Sequence, residues 1–574
     1  MNKLYIFTLF LAMMVSLSAQ STTETVRISK SQALEISNII NADTSVSDYR
    51  IYELERGGIY YLERAFLLNS SCKFAAYGND ARPPVLAMAV RADGSAEGWF
   101  FYLSKSGTSL EVNDIYMLSM ANDGTTLGWS RGISIHASNI SVKLRRVVFD
   151  GFTEAGIRVQ SDYVKLDVQD CHFRNFLHSG SYFGGQPFMT DVNKQDSTIF
   201  INNTFFACNS YLFSVRSLCP KAVFEHNSVI YTVVNPFLIR QSANLSIDNN
   251  LFYAVHAWGG DPEQVIGAWF LNYPDSTSSS IYRIRRKGVY NGYETTGPEY
   301  YNDEAAGEIF IPSERVHKAE NNNNYNPVEL VDFYKNWNDT VTVMDSVEVL
   351  TGPKQHLLRK LTMATWANDL SLNTLDTLAM PDVWDHTANA YLKGNLSEDP
   401  GFNADVKAHV NELVGYVNRI ASRKLDNPWH YELNFPPKWP IPENLAYSNT
   451  TLQSAGTDGF ALGDLNWFPS QKADWITGVE EVGTTVPSEY TLSQNYPNPF
   501  NPTTNIEFSI PEAGIVSLKV FDVLGQEVTT LLNREMTSGS YKVNFNASKL
   551  TSGIYFYTLN GKNYSNTKKM ILVK

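Results

Sequence analysis

Cysteine is scarce in this chain, with only Cys72, Cys171, Cys208 and Cys219 among 574 residues. So few cannot form a disulfide-stapled scaffold, and no CxxC pair is present to hold zinc. Cys208 and Cys219, the closest pair, could bridge in an oxidising compartment; buried free thiols are the alternative. Positive charge is short as well, with 46 Lys and Arg against 59 Asp and Glu and a net charge of −13. Nucleic acid is therefore excluded as the main partner, because phosphate recognition needs a basic face. A local basic groove is not excluded. Beyond the first twenty residues, no apolar run reaches the roughly 18 residues of a membrane-spanning helix. Motifs for other chemistries are missing: GxSxG, HExxH and the phosphate-binding loop do not occur. No acidic pair on a recognisable strand suggests glycoside hydrolysis.

What is present is enough to fold. Hydrophobic residues make up 43% and aromatics 13% of the chain, and this length implies two or three folded units. Met1 to Gln20 reads as a targeting segment: Lys3 starts it, Leu4 to Val15 is apolar, and Leu17-Ser18-Ala19 offers a small-residue cleavage site. Residues 1–19 are expected to be a signal peptide, which would leave no membrane span in the mature chain.

A repeat sets the expected fold. Val112-Asn113-Asp114-Ile115-Tyr116-Met117 is echoed at Leu144–Phe149, Val168–Phe173, Ile201–Phe206, Glu225–Ile230 and Ile247–Phe252. Asn or Asp stands at 114, 170, 203, 227 and 249, with Arg146 the exception, and a large apolar residue follows three places later. The apolar positions are 32, 24, 33, 24 and 22 residues apart. Coils in the low twenties, with apolar alternation and polar turns, suit a parallel β-helix in which equivalent residues pile up about 4.8 Å apart. Asn can then hydrogen-bond along the pile and accept left-handed backbone angles. The longer steps carry loops such as His178 to Gln186. A leucine-rich horseshoe would need a fixed Leu spacing that is absent; two separate sandwiches are the other rival.

The segment from about Arg27 to Arg285 resembles the pectin-lyase-like β-helix superfamily. Cys72-Lys73-Phe74-Ala75-Ala76-Tyr77-Gly78, followed by Pro83-Pro84-Val85-Leu86, is similar to an opening coil of that family. The expected architecture is mainly β: a right-handed parallel β-helix over 27–285, then helical and loop decorations with closing coils over 286–477. In that second stretch Val328 to Trp337 has helical spacing, Val406, Val410, Leu413, Val414, Val417 and Ile420 form one apolar stripe, and Gly463 to Phe468 is placed to rejoin the coils. Residues 478–488 read as a linker.

The last stretch, 489–574, carries the most specific likeness. Tyr490 to Thr504, containing Asn495, Pro497, Asn498, Pro499, Phe500, Asn501 and Pro502, resembles the opening of the type A sorting domains of the type IX secretion system. Phe521 to Glu527 with Gly525, Ser552 to Tyr557 with Gly553, and the end from Lys568 and Lys569 to Lys574 complete the pattern. The prolines fix an extended entry, Ile506-Phe508-Ile510 and Val516-Leu518-Val520 alternate as half-buried strands, and Leu524-Gly525-Gln526 is a hairpin turn. The resemblance implies a seven-stranded Ig-like sandwich and export across the outer membrane of a Gram-negative bacterium, with the secretion machinery as partner. The chain would then be secreted or held at the cell surface.

Superfamily resemblance further implies an extended polysaccharide along an outer face, and a Lys or Arg base in the lyase members. Ile135-His136-Ala137, Ile157-Arg158-Val159, Val215-Arg216-Ser217 and Ile239-Arg240-Gln241 would form a column with outward polar residues, with Asn193 or Lys194 beside it. His136 and Arg158 are the candidate bases, since a cation that neutralises a uronate carboxylate eases removal of the neighbouring proton. Arg216, Arg240 and Lys194 are the substrate-binding candidates. Salt bridging to Asp191 or Glu225 is the competing structural reading. Lys143 and Lys165, in matching Val-Lys-Leu triplets, read as solubilising. Asp261 and Glu263 are the calcium candidates, with a plain surface loop as their alternative, and no other metal is indicated. Binding of an acidic extracellular polysaccharide is the first functional expectation, and β-elimination on uronate-containing glycans is the second.

Overall fold

Strands of three to seven residues, separated by tight corners, pair in parallel with strands one coil away. The computed structural model describes residues 23–43, 49–178, 184–191, 193–215, 219–233, 236–239, 242–255, 289–290, 293–294, 302–303, 308–309, 316–336, 340–343, 355–358, 394–421, 429–477, 480–481, 487–512, 514–536, 538–547 and 550–574. Three parallel sheets form the walls of a β-helix. The first has ten strands, from Thr23–Ile28 to Val316–Glu320. The second has nine, from Ile59–Leu62 to Asn323–Tyr325. The third has five: Phe66–Leu68, Trp99–Leu103, Arg131–Ile135, Ala155–Val159 and Gln186–Thr190. The architecture is thus mainly β and is the expected stack, whose right-handed sense follows the strong preference of parallel crossovers.

Register confirms the pile-up and corrects its detail. In the nine-stranded sheet Met117 pairs with Phe149, Phe149 with Phe173, Phe173 with Phe205, Phe205 with Val229 and Val229 with Phe252. The Phe149, Phe173 and Phe205 rings stack at 4.8 and 5.0 Å, inclined by only 4° and 7°. The repeat in the sequence places Phe206 and Ile230 in this stack. They stand one residue further on, in a second apolar layer outside the sheet. The cause is physical: this sheet is buried on both faces, so adjacent positions are both apolar and alternation cannot fix the register.

The same one-residue ambiguity splits the Asn column in two. The left-handed corner residues are Asp114, Arg146, Asp170, Asn202, His226, Asn249 and Asn321, with φ between 50° and 60°. The next residue along forms a buried ladder. Asn203 donates to Asn227 Oδ1, Asn227 to Asn250, Asn250 to Asn322 and Asn322 to Asn395, each through backbone N and Nδ2 at 2.7–3.1 Å. Asn suits both columns, which is why sequence merged them. The ladder also carries the stack past Arg285, through Asn323–Tyr325 to a bridge between Asn323 and Leu396.

A long strap covers the outside of the nine-stranded sheet. Leu433, Phe435 and Ile441 lie against Val85, Tyr116, Leu118 and Val148. Further along, Tyr431, Leu445, Tyr447, Leu462 and Leu465 join Phe206, Ile230, Tyr231 and Tyr253. Gly463 to Phe468 does rejoin the coils: Gly463 N donates to Asn249 O at 2.8 Å and Asp464 N to Ser228 Oγ at 2.9 Å. A Cβ on Gly463 would stand 2.5 Å from Ser228 Oγ, so only glycine fits there. Arg174, 1% exposed, anchors the other half of the strap by donating to Glu443 (2.8 Å), Asp150 (2.7 Å) and the Tyr431 carbonyl (2.7 Å). The expected helices form at Val328–Asn336 and, broken at His409, at Ala404–Ala408 and Val410–Ala421.

The C-terminal unit is a sandwich of two four-stranded antiparallel sheets around Phe500, Ile506, Phe508, Val516, Leu518, Val520 and Tyr557. One strand more than expected arises because Glu480–Glu481, inside the segment read as linker, pairs with Tyr541 and Lys542. Gly525 turns the hairpin at φ 78°. All four cysteines are buried free thiols, so the Cys208–Cys219 bridge does not form.

Candidate functional site

The three walls present different outer faces. The nine-stranded face is taken up by the strap. The ten-stranded face satisfies itself electrically: Lys73 meets Glu111 at 2.7 Å, Arg145 meets Asp167 at 2.6 Å, and Lys143 stands between Glu111 and Asp167 in register. Lys143 and Lys165 are therefore offset by two residues, since Val142 pairs with Leu166. The five-stranded face is where the candidate residues gather.

On that wall Phe101, Ile133 and Ile157 point into the core, so period-two alternation turns Tyr102, Ser134 and Arg158 outward. Arg158 therefore stacks on Ser134, not on His136 as the sequence comparison of Ile135 with Ile157 suggested. That comparison slipped by two residues because both strands end in the same apolar alternation. His136 follows Ile135, which pairs with Val159, and so stands level with Gln160. The two candidates remain close: burial first, then the cationic fields of Arg131 and Arg158, hold the His136 imidazole below its usual pKa.

Arg158 is nearly buried and donates through Nη2 to Asp191 at 2.9 Å. The salt-bridge reading of this residue is thus realised, with Asp191 40% exposed at the edge. Lys194 sits at the following corner, its Nζ 5.9 Å from the Tyr163 ring centre and its backbone N donating to Asp162 at 2.8 Å. Val215 and Ile239 pair in register; Arg216 and Arg240, which follow them, lie outside the described residues, as do Asp261, Glu263 and the Met1 to Gln20 segment. No group of His, Cys, Asp or Glu suited to a metal occurs among the described residues.

Aromatic residues, which carry no charge pattern, complete this wall. Trp99 and Tyr102 lie parallel at 5.6 Å, and Tyr102 stacks on His136 at 4.4 Å. Arg131 lies 4.8 Å above Trp99 while gripping Glu154 through two 2.7 Å hydrogen bonds. Trp129, 57% exposed, packs on His178 at the near end of the face. The run Trp99-Phe100-Phe101-Tyr102 was the available signal: four consecutive rings cannot all enter the core, and here Phe100 and Phe101 are buried while Trp99 and Tyr102 are left part-exposed. Two buried polar atoms here, Ser134 Oγ and His136 Nε2, have no hydrogen-bond partner among the described residues. Such orphans are uncommon in folded proteins and call for an explanation.

The residues that resemble a sorting signal act together in the C-terminal unit. Asn495 is buried and donates through Nδ2 to Thr504 Oγ1 (2.9 Å) and the Pro497 carbonyl (3.1 Å). Asn498 Oδ1 accepts from Ile571 N at 2.9 Å, and Phe500, 2% exposed, exchanges backbone bonds with Ile571 and Val573. Pro499, Asn501 and Pro502 shape the turn between these contacts and the strand Thr503–Ile510. Gly553 pairs with Leu572, and Lys568 and Lys569 pair with Tyr557 and Phe556. The entry motif thus clasps the final strand.

Fold and face together define a stacked parallel β-helix with one open aromatic wall, joined to a separate C-terminal sandwich. Residues 494–574 match the family described as the secretion system C-terminal sorting domain. That match implies a secreted or cell-surface protein of a Bacteroidetes-type bacterium and supports export by the type IX system. The β-helix matches no pectin-lyase-like family, and no curated protein matches the chain.

Proposed function

We propose that this protein is delivered to the cell exterior, where it binds polysaccharide along the five-stranded wall. The observation that carries this reading is the Trp99–Tyr102–His136 stack on that wall. Aromatic rings offer flat apolar surface to sugar C–H groups. An acidic sugar would reach Arg158 by displacing Asp191, whose carboxylate is already part-exposed, and Arg216, Arg240 and Lys194 would extend the cationic side. The signal peptide at 1–19 and the secretion machinery as partner belong to the same proposal.

The chemical alternative, β-elimination on a uronate-containing glycan, has its own support in His136. Burial, Arg131 and Arg158 hold this imidazole below its usual pKa, which favours the neutral form that a general base needs. One experiment separates the two. Retention of the purified protein on immobilised acidic glycans, with no ultraviolet absorbance from unsaturated ends, is the expected result. Trp99→Ala with Tyr102→Ala should weaken retention about tenfold, the loss of one to two stacked rings. Undiminished retention in that double variant would remove the wall from consideration.

A further inference from the structure

A second concavity lies away from the open wall, between the strap and the helices that follow the last coil. Trp429 to Asn434 form one side, and Asp405, His409 and Glu412 the other, of a cleft of about 610 Å³. That volume is within the range of small-ligand sites, roughly 300–1,000 Å³. We infer that this cleft is a binding site for a sugar that carries a protonated amine.

The walls supply both halves of such recognition. The Tyr431 hydroxyl donates to Asp405 Oδ2 at 2.9 Å and holds that carboxylate at the rim. His409 sits edge-on to Tyr431 at 4.5 Å and nearly parallel to Trp429 at 5.9 Å, so ring surface runs from one side of the cleft to the other. Cations are attracted to such ring faces, and sugar C–H groups pack on them. No lysine or arginine pairs with Asp405 or Glu412 among the described residues; Glu412 has only His409, at 2.7 Å. Glu432 adds a third carboxylate, balanced by Lys438 at 2.6 Å.

His430, on the same wall, adds no compensating charge, because burial pushes its imidazole down to about 4. Its Nδ1 is shielded and has no partner among the described residues. An excess of carboxylate over cation beside aromatic faces selects a positive ligand. A divalent ion is disfavoured, since these carboxylates and imidazoles do not converge into a metal-holding group among the described residues. This charge preference is opposite to that proposed for the open wall, and the two sites share no residue.

Calorimetric titration of the whole purified protein tests the inference, with a β-linked glucosamine disaccharide, its N-acetylated form and cellobiose as probes. The amine-bearing sugar should bind at least about tenfold more tightly than either neutral sugar, the worth of one or two charge-assisted hydrogen bonds. Glu412→Gln combined with Asp405→Asn should abolish that preference; both residues are exposed, so the fold should tolerate the changes. Trp429→Ala should weaken all three sugars. The Trp99→Ala, Tyr102→Ala protein should bind the amine unchanged, which keeps this inference separate from the wall. Equal binding of the acetylated sugar, an unaltered preference in the carboxylate variant, no binding at all, or tighter binding of a lysine dipeptide would each overturn it.

Discussion

Replacing Glu443 by Gln tests whether the strap is latched electrostatically. Glu443 is buried, its Oε1 accepting from Arg174 Nε at 2.8 Å and lying 2.8 Å from His172 Nε2. Burial alone would push this carboxyl up; Arg174 and then His172 outweigh it and bring it down to about 2. A carboxyl held below its ordinary value of 4.5 stabilises the fold in its charged form. Breaking a buried ion pair typically costs about 3–5 kcal/mol, and the remaining Asp150 contact to Arg174 favours the lower end. Urea unfolding followed by tryptophan fluorescence should show a loss of about 3 kcal/mol at pH 7, with protease cleavage inside 429–447 at much lower enzyme. The folded-state pKa is depressed, so the contribution is present above about 4.5 and fades as pH falls toward 2. Wild type and variant should therefore converge in acid. A difference below about 1 kcal/mol at pH 7, or one that persists undiminished near pH 2, would refute the latch.

Asn227→Ala orphans the Asn203 N, takes from Asn203 Nδ2 one of its two acceptors and removes the donor to the Phe200 carbonyl, so it should cost about 3 kcal/mol in urea unfolding; a cost under about 1 would mean that the ladder contributes little. Burial pushes Asp464 up to about 6, so the folded state takes up this proton more readily than the unfolded chain. Its stability should rise as pH falls from 7 through 6 toward 4, and Asp464→Asn should remove that component of the pH profile. Burial holds the Cys72 and Cys171 thiols up at about 12 and Cys219 at about 11. Maleimide should therefore label none of the four cysteines in native protein and all of them in denaturant, with reductant leaving the melting temperature unchanged.

Much of this was legible from the residues. The repeat announced a stack, because coils that cannot bury their inner faces alone must recur at equivalent positions. The Asn-Pro-Phe-Asn-Pro entry and the lysine-rich final strand announced the terminal sandwich, since prolines and their flanking Asn residues act locally. Register was not legible wherever a wall is buried twice. Phe205-Phe206 and Val229-Ile230 are apolar on both sides because the strap, more than 200 residues further along, covers the outside. Nor could sequence show that the ladder resumes at Asn322 and Asn395, as the steps there lengthen to 72 and 73 residues and hide the period.

The candidate column failed in part for the same reason and in part for another. Looking for cations selected Arg158, and the fold has answered that charge with Asp191; the ten-stranded wall shows the same self-neutralisation along its whole Lys–Glu–Lys–Asp row. In a stacked fold, like residues recur about 4.8 Å apart, so any outward charge is driven to acquire a partner on the neighbouring coil. Charge is accordingly the feature most readily consumed by the scaffold itself. Aromatic faces are under no such pressure, and what survives on the open wall is of that kind: Trp99 and Tyr102. For a β-helix, ligand sites are better sought where outward groups remain unanswered by the next coil than where basic residues align.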